Sequence, residues 1–167
     1  MSKIKKLNCL LPIVGGIISL LVFMFPVWYS PSPWIEYIWI NGRIRHVTAG
    51  DVLDWLPNEM FIPSIITTIL IALSSALFII SAILDYRGRK VFIKNEHLWI
   101  ILALLELSTL IGYILGIQNG FYSHTNMNFW STYEIQAGLY LPFIGVGISV
   151  LGAVLGKILK RDIKKIE

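Results

Sequence analysis

One cysteine, Cys9, and a charged fraction of only 14% are the first limits on what these 167 residues can do. A single thiol allows no intrachain disulfide and no paired-cysteine redox relay, so any loop outside a membrane is held by packing and hydrogen bonds alone. Histidine is as sparse: His46, His97 and His124 are scattered, without the His-x-x-x-His or His/Asp spacing a metal site needs. There is no G-x-S-x-G elbow, no phosphate-cradling glycine loop and no catalytic carboxylate pair in a polar pocket. Asp51 and Asp54 have the spacing of a helical pair, which capping and solvation explain. These absences argue against an enzyme, and no cofactor or metal site is expected.

What is present is apolar. The chain is 56% hydrophobic with a mean hydropathy of +0.71, outside the range of water-soluble domains. Four long apolar segments run at about 7–28, 61–84, 98–117 and 135–159. A hydrocarbon core about 30 Å thick takes about 20 helical residues to cross, and each segment is near or above that length. Lys3, Lys5 and Lys6 precede the first segment. Arg87, Arg89, Lys90 and Lys94 lie between the second and third, and Lys157, Lys160, Arg161, Lys164 and Lys165 close the chain. Only Arg43 and Arg45 of the 14 basic residues fall on the other side of the alternation. The positive-inside rule therefore predicts a multi-pass cell-membrane protein with both termini in the cytoplasm. It is a single tetraspan domain over 1–167, with outer loops at 29–60 and 118–134. Its net charge of +4 is then a topology signal facing anionic membrane lipid, not a nucleic-acid footprint. The first apolar run is too long for a cleaved signal peptide and lacks a small-x-small site after it, so it is read as retained. Cys9, at its cytoplasmic end, is either an inert thiol or a palmitoylation site.

In the first outer loop, Asn41-Gly42 between WIEYIWI and RIRHVT has the signature of a two-residue hairpin turn. That register opposes Ile40 to Arg43 and Ile38 to Arg45. It puts Glu36, Ile38, Ile40, Arg43, Arg45 and Val47 on one face, with Glu36 diagonal to Arg45. The other face, Ile35, Tyr37, Trp39, Ile44 and His46, is largely apolar and needs cover from the membrane surface, the second outer loop or another molecule. After Gly50, DVLDWLPNEM reads as a short helix capped by Asp51 and ended near Pro57. The second outer loop is polar and aromatic and is able to add one strand to the outer sheet.

The fourth segment carries Gly138, Gly145, Ser149, Gly152 and Gly156 at spacings of seven, four, three and four, one helical stripe suited to close packing. A period near 3.5 favours a left-handed bundle. The second segment offers Thr68, Ala72, Ser75 and Ala82, the first Gly15 or Gly16 with Ser19, and the third Gly112 and Gly116. The one expensive residue is Glu106, near the middle of the third segment, with Thr109 and Tyr113 one and two turns on along the same face. A carboxylate at the bilayer midplane costs several kcal/mol unless protonated or partnered. No Lys, Arg or His lies near the middle of a span to pair with it; Lys157 is at the cytoplasmic end of the fourth. Glu106 is therefore expected to be neutral and bonded to Ser or Thr of the second segment, or to Gln136; the functional alternative is a proton or cation relay.

Several strings resemble the claudin superfamily, which includes the claudins, epithelial membrane proteins and the peripheral myelin protein group. FPVW (25–28) is similar to the Pro-x-Trp that closes their first span, and Phe121-Tyr122 resembles the aromatic pair opening their second loop. YEIQAGLY (133–140) with LGAVL (151–155) resembles their fourth span. The first loop lacks the two cysteines of claudins and is shorter, and Trp55 in VLDWL stands where their Gly-Leu-Trp tryptophan is expected. The resemblance implies an all-α membrane protein, a four-transmembrane-helix bundle topped by a small extracellular β-sheet. It implies a non-enzymatic role in adhesion, membrane assembly or as an accessory subunit, with a membrane-protein partner or self-association. Trp34, Tyr37, Trp39, Trp55 and Trp130 are the expected contact residues, because aromatics dominate interface hot spots; Trp28, Trp34, Trp99 and Trp130 also suit a membrane aromatic belt. The alternative function is a small transporter or ion-conducting unit using Glu106.

Overall fold

The computed structural model describes the backbone of residues 3–31, 35–47, 50–89 and 94–163, and side chains within 8–158 of those ranges. It contains four α-helices: α1 (Lys3–Leu20), α2 (Asn58–Tyr86), α3 (Asn95–Thr125) and α4 (Ala137–Ile163). Five short strands join them at one end: β1 (Trp28–Ser30), β2 (Glu36–Ile38), β3 (Arg43–His46), β4 (Val52–Trp55) and β5 (Glu134–Ile135). α2, α3 and the Ala137–Ile158 part of α4 are long and apolar enough to cross a membrane. The apolar stretch Asn8–Phe23 is shorter.

The expected first span, 7–28, is therefore cut back. Helix α1 tightens into a 3₁₀ turn at Leu21–Phe23, and Trp28 begins β1. Pro26 explains the stop, since it has no N–H to donate and disfavours helical geometry at the residue before it. The third helix instead outruns its expected 98–117 and ends where Asn126 takes a left-handed conformation, φ 58°.

The sheet is antiparallel in the order β4-β3-β2-β1-β5, so it draws strands from both connecting loops. Its inner face carries Trp28, Ile38 and Ile44 across three neighbouring strands, all buried against the end of the bundle. The β2–β3 turn corrects the expected two-residue register. Trp39, not Ile40, pairs with Arg43 through its N–H (2.9 Å), and Gly42 N–H donates to the Trp39 carbonyl (3.0 Å). This is a three-residue loop, a type I turn followed by Gly42 in the left-handed region at φ 82°. A one-residue slip reverses every side chain. Ile38 and Ile44 consequently face inward together, while Tyr37 and Arg45 face outward together.

The predicted helix after Gly50 is likewise absent. Val52–Trp55 is β4, paired along its whole length with β3, and α2 begins only at Asn58.

The bundle seam is polar in places. On α2 the buried positions include Ser64, Thr67, Ile71, Ser74, Phe78 and Ser81, a stripe of period near 3.5; of the anticipated residues Ser75 and Ala82 are buried beside it, while Thr68 and Ala72 are half-buried. Helices α1 and α4 meet through small residues: a methyl at Gly15 would overlap Ser149 and the Gly145 carbonyl, and one at Gly145 would overlap Ser19 and the Gly15 carbonyl. Two Gly-x-x-x-Ser segments thus interlock reciprocally, the close backbone approach that membrane helices use in place of a hydrophobic driving force.

Candidate functional site

At the sheet end, register brings Ser30, Glu36 and His46 into one row on the inner face. Glu36 Oε1 lies 2.7 Å from His46 Nδ1, and the Tyr133 hydroxyl donates to Glu36 Oε2 at 2.6 Å. This joins the first loop to the segment leading into α4. Burial raises the Tyr133 phenol above the usual tyrosine value, and the hydrogen bond to Glu36 and its charge push in the same direction. The predicted Glu36–Arg45 diagonal does not form. Arg45 instead grips Asp51 with two hydrogen bonds of 2.5 and 2.8 Å. That bond holds the Asp51 carboxyl below its ordinary range and the Arg45 guanidinium above its own.

Strand β4 is the exposed feature of this end. All four of its residues are exposed, with Leu53 at 66%, Trp55 at 51% and Val52 at 48%. It pairs with β3 alone, so its far edge has no strand partner among the described residues. Arg43 sits over the Trp55 ring at 5.4 Å, and Phe61 meets that ring edge-on at 5.5 Å, so Trp55 is fixed in place yet half open to its surroundings.

The predicted contact residues do not form one patch. Trp55 is exposed on β4. Tyr37 is half-buried and stacks with Tyr29 at 5.0 Å, and Trp39 is half-buried at the hairpin turn. Trp130 lies off the sheet in the 3₁₀ turn Phe129–Ser131, with its indole N–H on Gln118 at 3.0 Å. Trp34 lies outside the described residues. Leu53 and Val52 were not among the expected contact residues, because a short helix was expected there, and four residues carry no period that separates the two.

The aromatic-belt reading fails for two tryptophans. Trp28 is fully buried, donates to the Tyr113 hydroxyl (3.1 Å) and packs edge-on against Phe129 and Trp130. Trp99 is also fully buried, donating to Ser81 at 2.9 Å. Both serve as core anchors whose single polar group is satisfied internally.

Inside the bundle, Glu106 is completely buried, and Ser74 Oγ donates to its Oε2 at 2.9 Å. Ser19 of α1 faces the same carboxyl, and Glu106 Oε1 and Ser19 Oγ both lack a hydrogen-bond partner among the described residues. Thr109 and Tyr113 do not extend this group. Thr109 donates back to the Leu105 carbonyl, and the Tyr113 hydroxyl is engaged by Trp28. Gln136 sits at the sheet end, its backbone N–H on the Val27 carbonyl.

The α4 stripe is brought together largely against α1. Gly145 and Ser149 meet Gly15 and Ser19, Gly152 meets Leu11 and Pro12, and Gly156 meets Asn8 and Glu96. Gly138 meets the carbonyls of Phe25 and Pro26. On α3, Gly116 packs on Pro63, but Gly112 faces open space beside a cleft of about 240 Å³ lined by Pro63, Thr67, Thr109 and Tyr113. Cys9 is buried, and its Sγ lies 3.5 Å from Asp85 Oδ2, a setting that suits a packed thiol rather than an acylation site. No three His, Cys, Asp or Glu side chains converge as metal ligands among the described residues. In comparisons with known proteins, no family model matches the chain and no curated protein matches it.

Proposed function

We propose that this protein is a non-enzymatic, claudin-like tetraspan of the cell membrane, acting through its outer sheet in adhesion, membrane assembly or as an accessory subunit. In this reading the four helices form a left-handed bundle in the bilayer, both termini are cytoplasmic, and the sheet lies outside. The charge alternation supports the orientation. The left-handed packing is supported by the near-3.5 period of the α2 and α4 stripes.

The observation that carries the functional reading is β4. A strand edge with no strand partner among the described residues and with exposed Val52, Leu53 and Trp55 is a template for pairing with another chain, once the Trp55 N–H leaves Asp54 Oδ1, which it meets at 2.7 Å. Soluble proteins blunt such edges with lysine, proline, bulges or other charges, and of these β4 has only the carboxylate of Asp54. The partner is a membrane protein or a second copy of this chain.

The test is purification in mild detergent of wild type beside Leu53→Glu and Trp55→Ala. Wild type elutes at a fixed stoichiometry, as a hetero-complex or a defined oligomer. Trp55→Ala weakens that association at least tenfold, the effect of an interface hot spot worth about 2 kcal/mol. A wild-type monomer, or complexes retained by both variants with unchanged affinity, rejects the reading. The orphaned oxygen of Glu106 supports a second reading, a small transporter or ion-conducting unit. Loss of flux in Glu106→Gln with assembly intact would favour it.

A further inference from the structure

We propose that Glu106 binds a proton in the folded protein, held on Oε1 and donated to Ser19 Oγ, and that this proton ties α1 to α3. The inference goes beyond the role of the sheet and does not depend on it.

Three buried oxygens near the middle of the bundle lack a partner among the described residues: Glu106 Oε1, Ser19 Oγ and Ser75 Oγ. Buried polar atoms without partners are rare in folded proteins, and each calls for an explanation. Ser74 Oγ lies 2.9 Å from Glu106 Oε2 and 3.1 Å from the Ile71 carbonyl, so Oε2 has a hydroxyl partner and the oxygen without one is Oε1. A protonated carboxyl gains an O–H donor, and a serine hydroxyl accepts through two lone pairs. One proton therefore satisfies Glu106 Oε1 and Ser19 Oγ together. A Ser19 hydroxyl donating to an ionised carboxylate would also fill the gap, but charge decides against it. An ionised Glu106 would be an unpaired charge in a medium of low dielectric.

Among the described residues no neighbouring element offers compensation. From α1 Glu106 faces Ser19, from α2 Ser74, and neither ionises. Away from its ends α2 has no titratable residue, and Cys9 lies at the far end of α1. Between Ala137 and Gly156, α4 carries only the exposed Tyr140. On α3 the nearest titratable group is Tyr113, two turns away and bonded to Trp28. A hard metal cation suits the site less well, since such ions gather about six oxygen ligands and Ser74 is already committed as a donor.

Infrared spectroscopy of the full-length protein at neutral pH tests this through the C=O stretch of a protonated carboxyl. Wild type is expected to show the band, Glu106→Gln to lose it, and Ser19→Ala to move it to higher frequency as the hydrogen bond is lost. Should Glu106→Gln not fold, ¹³C-glutamate labelling assigns the band and Ser19→Ala still tests the bond. A missing band means an ionised Glu106 and overturns the proposal, as does a band that Ser19→Ala leaves in place. A band present in choline chloride and lost in sodium chloride also overturns it, making a metal ion the occupant.

Discussion

Trp28 shows how one side chain couples the sheet to the helices: β1 carries it, the bundle end buries it, and Tyr113 of α3 takes its only N–H. Tyr113→Phe leaves that N–H buried without an acceptor, which costs about 1–3 kcal/mol and lowers the thermal midpoint in detergent. Gly145→Val drives a side chain into the Gly15 carbonyl and Ser19, an overpacking worth about 1–3 kcal/mol, whereas Gly147→Ala, with open space at its Cβ in the interior of α4, does not lower the midpoint. Tyr133 makes the sheet sensitive to alkali. Its folded pKa lies above the unfolded value of about 10, so the neutral phenol stabilises the fold below that pH. The contribution is lost as pH rises through the folded value, and unfolding curves of Tyr133→Phe lack that alkaline decline. Asp51 has the opposite sign: its depressed value means the Arg45 pair helps at neutral pH and is lost on acidification, a small effect at so exposed a site. At this scale Glu106 was legible because a charge in an apolar span is costly. Ser19 was not legible as its neighbour, because a serine on a small-residue stripe reads as packing until the third dimension brings α1 and α3 together.

Among the elements, the β2–β3 hairpin shows where local signals stop. Asn41-Gly42 marked the turn, yet the same pair serves a two-residue loop or the last two positions of a three-residue one. Packing chose the latter, since only that register turns both Ile38 and Ile44 toward the bundle. Gly42→Ala meets a left-handed backbone, at about 1–2 kcal/mol, and a Cβ contact of 2.9 Å with Phe61. Its thermal midpoint is expected to fall, with loss of the β-sheet signal before the helical one. β4 was misread for a related reason. Four residues are too few for periodicity to separate strand from helix, and its pairing with β3 is a tertiary contact. The helices α2, α3 and α4 were legible because length and hydropathy alone specify them. Their ends were not, since Ile135 leaves the fourth apolar segment to join Glu134 of the second loop in pairing with β1.

Across the whole molecule, two loops and the ends of two helices converge on one sheet, and that sheet exposes its longest edge. β5, at the opposite edge, is two residues long; β4 offers four, three of them apolar. Hydropathy made three of the long helices legible, and the resemblance of a few strings suggested a sheet at one end of them. Neither revealed which edge would stand free. The most direct test of the central claim is backbone hydrogen exchange of residues 52–55 in the assembly isolated from native membranes, compared with the same chain stripped to a monomer. Pairing through β4 predicts slow exchange of the outward amides of Leu53 and Trp55 in the assembly and faster exchange in the monomer. The Val52 and Asp54 amides, on β3 in both states, and those of β5 are unchanged. Equal exchange of residues 52–55 in both states, with protection appearing elsewhere, would contradict it.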